Sequence, residues 1–199
     1  MTRVSIIGSG PMITKAHTAM EKQGCHPPDE ESVVLVDADD CPLGSAGKLI
    51  VHQRNMRHRA ISVLIFDRAG RMLLQQRGVS KYHSGGLWSN ACCSHPRPGE
   101  PPATAAGRRL REEMGFAAPL TFAGLFSYEA SVGNGLWENE VVHIFIGRYD
   151  GEVVPDADEA EDFSWQSPDS IRKDVAARPD RYTAWFRLYG RATWFRTSP

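Results

Sequence analysis

Two apolar runs constrain this chain more than any other feature. Ala60–Phe66 reads Ala-Ile-Ser-Val-Leu-Ile-Phe and closes on Asp67-Arg68-Ala69-Gly70; Val141, Val142, Ile144, Phe145 and Ile146 make a second run. Short runs rich in β-branched residues read as strands, and the second reads as a buried one. Further strand patterns cover Val33–Asp37, Lys48–Val51, Arg71–Arg77, Leu87–Ser94, Thr121–Ala130 and Asp162–Gln166, with a turn at Asp39–Gly44 and a loop carrying Gly133, Asn134 and Gly135. Helical patterns are fewer. Pro101-Pro102 opens one, followed by Ala106, Leu110 and Met114 on one face and Gly115 at the C-cap. Ser167-Pro168 opens a second with N-cap and N1 chemistry. A third covers Arg181–Phe195, with an apolar stripe at Trp185, Leu188, Tyr189, Ala192 and Phe195. Strands dominate the middle and helices lie between and after them. The expectation is an α/β (α+β) fold, a mixed β-sheet with helices packed on it.

The 199 residues fit one domain. Residues 1–31 mix glycines and prolines with an acidic end, Asp29-Glu30-Glu31, and read as a flexible N-terminal extension to a domain over 32–199. Ile6–Pro11 imitates the opening of a dinucleotide-binding loop but lacks its third glycine. Lys+Arg 23 against Asp+Glu 24 gives a net charge of −1, which argues against a nucleic-acid or anionic-membrane surface. No apolar run reaches the roughly 18 residues of a membrane span. No apolar segment with a cleavage site marks the first 25 residues as a secretory signal. Four cysteines are too few for a disulfide scaffold, so the expected compartment is the reducing cytoplasm. Two of them, Cys92 and Cys93, are adjacent.

Four clusters carry chemistry. In Asn90–Pro96, strand alternation puts Cys93 and His95 on one face and turns Cys92 into packing. Glu138 and Glu140 share a strand face, and two carboxylates so close repel unless a cation or a proton lies between them. His52 and His58 precede the first apolar run. With His95 and the two glutamates they make three imidazoles and two carboxylates, an N/O set suited to a first-row divalent ion and unlike a Cys-rich structural zinc site. In the helix Arg108–Phe116, Arg109 and Glu113 are neighbours four apart; Arg77 and Lys81 lie upstream. Cations converging in a near-neutral chain suit a small polyanion such as a diphosphate.

The helix resembles the signature of the Nudix superfamily. Counting back from Gly115-Phe116 gives Ser94, Glu100, Arg108, Arg109, Leu110, Glu112 and Glu113. Ser94 replaces the signature's first glycine, and Arg109 replaces a glutamate that Nudix hydrolases use to hold Mg²⁺ on a diphosphate. That departure is itself a mark of the type 1 isopentenyl-diphosphate Δ-isomerase family, the metal-dependent, flavin-free class. Leu73–Arg77, Ser80–His83, Gly86–Asn90, Cys92–Pro96, Arg108–Gly115, Glu138–Val141 and Tyr182–Trp185 carry the resemblance in order, over residues 33 to 195.

The resemblance implies a Nudix-like sheet sandwiched by helices and the conversion of isopentenyl to dimethylallyl diphosphate. It makes Cys93 the catalytic thiol and Glu140 the catalytic acid/base, with Tyr128 hydrogen-bonded beside Glu140. His52, His58, His95, Glu138 and Glu140 would ligate Zn²⁺ or Mn²⁺. Glu113, with the Cys93 carbonyl, would hold a Mg²⁺ brought by the substrate diphosphate. Lys48, Arg77, Lys81 and Arg109 would bind that diphosphate, and Trp185 would face the hydrocarbon end. The expected partner is a small isoprenoid diphosphate, with no nucleic acid, membrane or flavin, and the expected state is a monomer. The competing readings are a Nudix hydrolase of a nucleoside or isoprenoid diphosphate, a non-enzymatic binder of a metal or prenyl diphosphate, and a paralogue acting on a longer isoprenoid.

Overall fold

The apolar run at residues 60–66 is the strand around which the sheet is built. The computed structural model describes the backbone of residues 4–7 and residues 31–189. Its elements are β1 (Val4–Ile7), β2 (Ser32–Val36), β3 (Pro42–Gly47), α1 (Lys48–Gln53), β4 (His58–Phe66), β5 (Met72–Arg77), β6 (Trp88–Asn90), β7 (Cys92–Ser94), α2 (Pro102–Met114), β8 (Leu120–Gly133), β9 (Leu136–Arg148), β10 (Ala160–Gln166), α3 (Pro168–Ala177), a 3-10 turn at Pro179–Arg181, and α4 (Ala184–Tyr189). β4 pairs in parallel with β9 and antiparallel with β2, β5 and β7. The sheet runs β1-β8-β9-β4-β2-β3, with β5, β6, β7 and β10 joined at the side of β4. The expected mixed sheet is present.

Alternation along β4 explains why helices cover both faces. Ala60, Leu64 and Phe66 point into one core with Ile171, Trp185, Phe186 and Tyr189, supplied by α3 and α4. Ile61, Val63 and Ile65 point into the other with Ala105, Ala106, Leu110 and Met114 of α2. A strand apolar on both faces needs such cover, and each fully buried aliphatic side chain contributes roughly 1.5–3 kcal/mol. No helix among the described residues is long and apolar enough to cross a membrane.

Three sequence expectations change. Lys48–Val51, read as a strand, is the first turn of α1: Val51 and His52 are buried and Leu49 is exposed, a helical face that a short apolar run does not reveal. Leu87–Ser94 is two strands rather than one, β6 pairing with β5 and β7 with β4. Asn90 sits at the switch, its Nδ2 donating to Val63 O, Cys92 O and Ser62 Oγ at 2.8–2.9 Å. The helix expected over Arg181–Phe195 begins only at Ala184, because Thr183 N still bonds Trp88 O; Ala192 and Phe195 lie outside the described residues. β1, inside the segment read as an extension, pairs with Leu125–Tyr128 of β8. The flexibility expected of the rest of residues 1–30 lies outside the described residues.

The N-terminal approach to α2 is tied down by Glu100. It accepts from Arg108 Nε and NH2 at 2.7 and 2.8 Å and from Arg97 N at 2.9 Å. The paired guanidinium holds its carboxyl down at about 2. A depressed carboxylate stabilises the fold above its unfolded value of 4.5 and stops doing so as pH falls through about 2. Glu100→Gln is therefore expected to cost about 1–2 kcal/mol at pH 7, with the deficit fading between pH 4.5 and 2 in urea melts of both proteins. At the other end, Gly115 is left-handed (φ 78°), and a Cβ there would lie 2.2 Å from Val154 O. Gly115→Ala is expected to destabilise by about 2 kcal/mol or more, read as a lower denaturation midpoint with the slope unchanged.

Candidate active site

The parallel β4–β9 pair and the β8–β9 hairpin bring the first residues of the site together. Register sets His58 beside Glu140 across β4–β9, and Tyr128 beside Glu140 across β8–β9. Period-two alternation then turns Glu138 to the same face as Glu140, as the sequence pattern requires. α1 delivers His52. The residue after β7 is His95, one alternation beyond Cys93.

The side chains of His52, His58, His95, Glu138 and Glu140 are buried, and their ligand atoms lie within 4.8 Å of one another. His52 Nδ1 donates to Lys48 O at 2.6 Å, and His58 Nδ1 to Met56 O at 2.9 Å. A carbonyl only accepts, so in the neutral rings the proton sits on Nδ1 and Nε2 keeps its lone pair. Those Nε2 atoms face other acceptors. His58 Nε2 lies 3.2 Å from His95 Nε2 and 3.4 Å from Glu140 Oε1; His52 Nε2 lies 3.4 Å from Glu138 Oε2. His52 Nε2 and Glu138 Oε2 are buried with no hydrogen-bond partner. Unshared donor atoms of this kind converging out of water are what a divalent cation satisfies, and the residues present fit one. Burial opposes charge on His52, but its contacts with Glu138 raise its pKa above the usual imidazole value. Burial opposes charge on Glu138, but contacts from His52 and His83 hold its carboxyl well below the ordinary range. Burial pushes His95 down to about 4, which favours its neutral, ligating form.

The cleft above the cluster is lined by Cys93, Tyr128, Glu140 and Trp185 together with Lys48, Arg77, Lys81, Arg109 and Glu113. The residues that the resemblance names as catalytic, metal-ligating or substrate-binding therefore border this cleft or, as with His52 and His58, the buried cluster beneath it. Tyr128 Oη donates to Glu140 Oε2 at 2.7 Å. Cys93 Sγ lies 3.1 Å from Asn90 Oδ1 and 3.4 Å from Ser62 Oγ, and burial pushes its thiol up to about 12. Cys92 faces the opposite core, as expected, and donates to Glu113 Oε1 at 3.2 Å. Trp185 Nε1 is fixed by Ser89 Oγ at 2.9 Å, leaving its ring to the cleft.

The cations already have partners. Lys48 pairs with Glu31 at 2.8 Å, Lys81 with Glu159, and Arg109 with Glu113 at 2.9 Å and Glu159 at 3.0 Å. Arg77 lies 5.3 Å over the Trp185 ring, and its Nε is buried without a partner. Free volume in the cleft is about 70 Å³, below the roughly 300 Å³ at which small-molecule sites begin. Sequence reasoning did not single out Glu31, Glu159, Gln75, Ser62 or His83 individually. His83 had a signal, since it stands in the Ser80–His83 segment beside Lys81. Glu159 had none.

A NUDIX domain model matches residues 56–186. Isopentenyl-diphosphate Delta-isomerase 1 of Aromatoleum aromaticum is 54% identical over 156 residues, covering 78% of this chain and 88% of that protein. An isopentenyl-diphosphate Delta-isomerase 2 of Photorhabdus laumondii is 49% identical over 158 residues, covering 79% and 89%. Among solved structures, DR0079 from Deinococcus radiodurans superposes with a TM-score of 0.67 at 15% identity, over 81% of this chain and 98% of that one. The MutT protein from Methanosarcina mazei Go1 gives 0.57 at 20% identity, over 70% and 93%. These two similarities support the fold.

The cluster's orphaned atoms yield a direct measurement. Zn²⁺ or Mn²⁺ added to chelator-stripped protein is expected to raise the melting temperature, by the equivalent of about 2.7 kcal/mol at a hundredfold excess over Kd. Glu138→Gln should remove most of that rise. A parent protein whose melting temperature ignores both metals would exclude a metal centre here.

Proposed function

The chain belongs to the NUDIX domain family and, within it, to the isopentenyl-diphosphate Delta-isomerases, and on that footing we propose how its cleft moves the double bond of isopentenyl diphosphate to give dimethylallyl diphosphate. The observation that carries the reading is the make-up of one cleft. Cys93, Glu140 and Trp185 line it together with four cations, Lys48, Arg77, Lys81 and Arg109.

The diphosphate binds the cations, displacing Glu31 and Glu159 from Lys48, Lys81 and Arg109. Glu113 and the Cys93 carbonyl would hold a Mg²⁺ brought in with the diphosphate. This anchoring lays the isoprenoid chain against Trp185. One proton is then added at the terminal methylene carbon, and the positive charge develops at the tertiary carbon. Another proton leaves the carbon next to the one bearing the diphosphate ester, and the double bond re-forms there. Protons in and out are equal, so the product is an isomer.

In this reading Cys93 and Glu140 are the two proton carriers, acting on opposite faces of the chain. One gives and the other takes, and the reverse reaction exchanges their roles. An unactivated alkene is a poor base, so the donor must be strong and the site dry. A Zn²⁺ or Mn²⁺ held by His52, His58, His95, Glu138 and Glu140 would supply positive charge that makes the Glu140 carboxyl a stronger acid. Tyr128 Oη, bonded to Glu140 Oε2, keeps that carboxyl aimed at the substrate. Cys93 rests as a neutral thiol, consistent with its burial. The Trp185 ring offers its π face to the cation, worth about 2 kcal/mol or more when desolvated. Arg109 supports isomerisation over hydrolysis, since a guanidinium in contact with Glu113 stands where a hydrolase would gather another carboxylate.

Incubation with isopentenyl diphosphate in D₂O with Mg²⁺ and Zn²⁺ or Mn²⁺ should place deuterium in substrate and product, followed by NMR. Cys93→Ala should lower turnover by about 10²–10⁴-fold with the metal centre intact. Phosphate release faster than deuterium incorporation would favour the hydrolase. Full turnover by Cys93→Ala would sink the two-carrier mechanism.

A further inference from the structure

The two oxygens of Glu138 face different ways. Oε2 turns toward His52 Nε2 at 3.4 Å and is buried without a hydrogen bond. Oε1 lies 3.1 Å from Nε2 of His83, which is outside the five-residue cluster. His83 is on the loop between β5 and β6, and its ring is 5% exposed. The ring is held from several sides: Tyr82 edge-on at 4.5 Å, Trp185 edge-on at 6.0 Å, and Ser84 Oγ 3.2 Å from Nδ1. A carboxylate oxygen can only accept, so this close contact is favourable when His83 Nε2 carries a proton.

The last torsion of a glutamate side chain is broad and roughly two-fold, so nothing intrinsic decides which oxygen meets a ligand. A donor fixed on one oxygen does decide it. We propose that His83 is a positioning residue for the metal centre: it holds Glu138 Oε1, so that Oε2 is presented to a divalent transition ion. The proposal rests on the metal-site reading above and extends it. His83 does not join the ligands; it acts through Glu138. Groups in this outer position typically change metal affinity by about 10–100-fold when removed.

The test uses full-length parent, His83→Ala, His83→Phe and His83→Gln, each stripped with chelator. Zn²⁺ affinity is measured by competition with a chromophoric chelator, and the ligand field by the visible absorption of added Co²⁺. His83→Phe keeps the ring against Tyr82 and Trp185 but has no N–H. It and His83→Ala are expected to bind Zn²⁺ about 10–100-fold more weakly, with an altered Co²⁺ spectrum. His83→Gln, which again offers an N–H, is expected to recover much of the affinity and the parental spectrum. Parental affinity and spectrum in His83→Phe would overturn the proposal, and so would equal losses in Gln and Phe. A parent that binds neither Zn²⁺ nor Co²⁺ would overturn the metal-site reading itself, with the proposal.

Discussion

Three imidazoles and two carboxylates are buried against one another at one end of the β4–β9 pair, and the surrounding structure is arranged to tolerate that burial. Isolated charges at such depth are costly, so each group needs a partner or a ligand. Backbone carbonyls occupy the far nitrogens of His52 and His58, Tyr128 takes one oxygen of Glu140, and His83 takes one of Glu138. Left without a partner are His52 Nε2 and Glu138 Oε2 inside the cluster, and His95 Nδ1. The capacity to hold a metal thus comes from contacts that fix most of these groups while leaving ligand atoms unpaired in the middle.

The same economy shapes the sheet. In one continuous strand, alternation would put Trp88 and Cys93 on opposite faces, yet both pack against the same core. The break at Ala91 instead moves the chain from one neighbour to another, so that Cys93 reaches the cleft and Cys92 reaches Glu113. The adjacent cysteines, puzzling in composition alone, are one thiol for each side of the sheet.

How far the sequence reveals this depends on the range of the interaction. β4 and β9 are legible because burial on both faces writes itself as an uninterrupted apolar run. Glu138 and Glu140 are legible as a pair because alternation is local. α1 is misread because Lys-Leu-Ile-Val suits a strand as well as a helix, and what decides is burial of His52 against residues far along the chain. The split of β6 from β7 is hidden for a similar reason: Asn90 holds it through Ser62 and Val63, 28 and 27 residues away. The carboxylate partners of the cleft cations are least legible, since Glu159 meets Lys81 across 78 residues and no local pattern marks it.

Those carboxylates give the cleft the character of an ion exchanger. Lys81 and Arg109 share Glu159, and Lys48 holds Glu31, so the cations are oriented and charge-balanced before anything arrives. Such a surface does not gather anions indiscriminately. A lone chloride or a distant carboxylate offers no more than the resident glutamates already do. In the proposed reading, a ligand carrying several anionic oxygens within one short span would replace both together, and its departure would let them return. Selectivity for a compact polyanion is then a matter of displacement as much as of attraction.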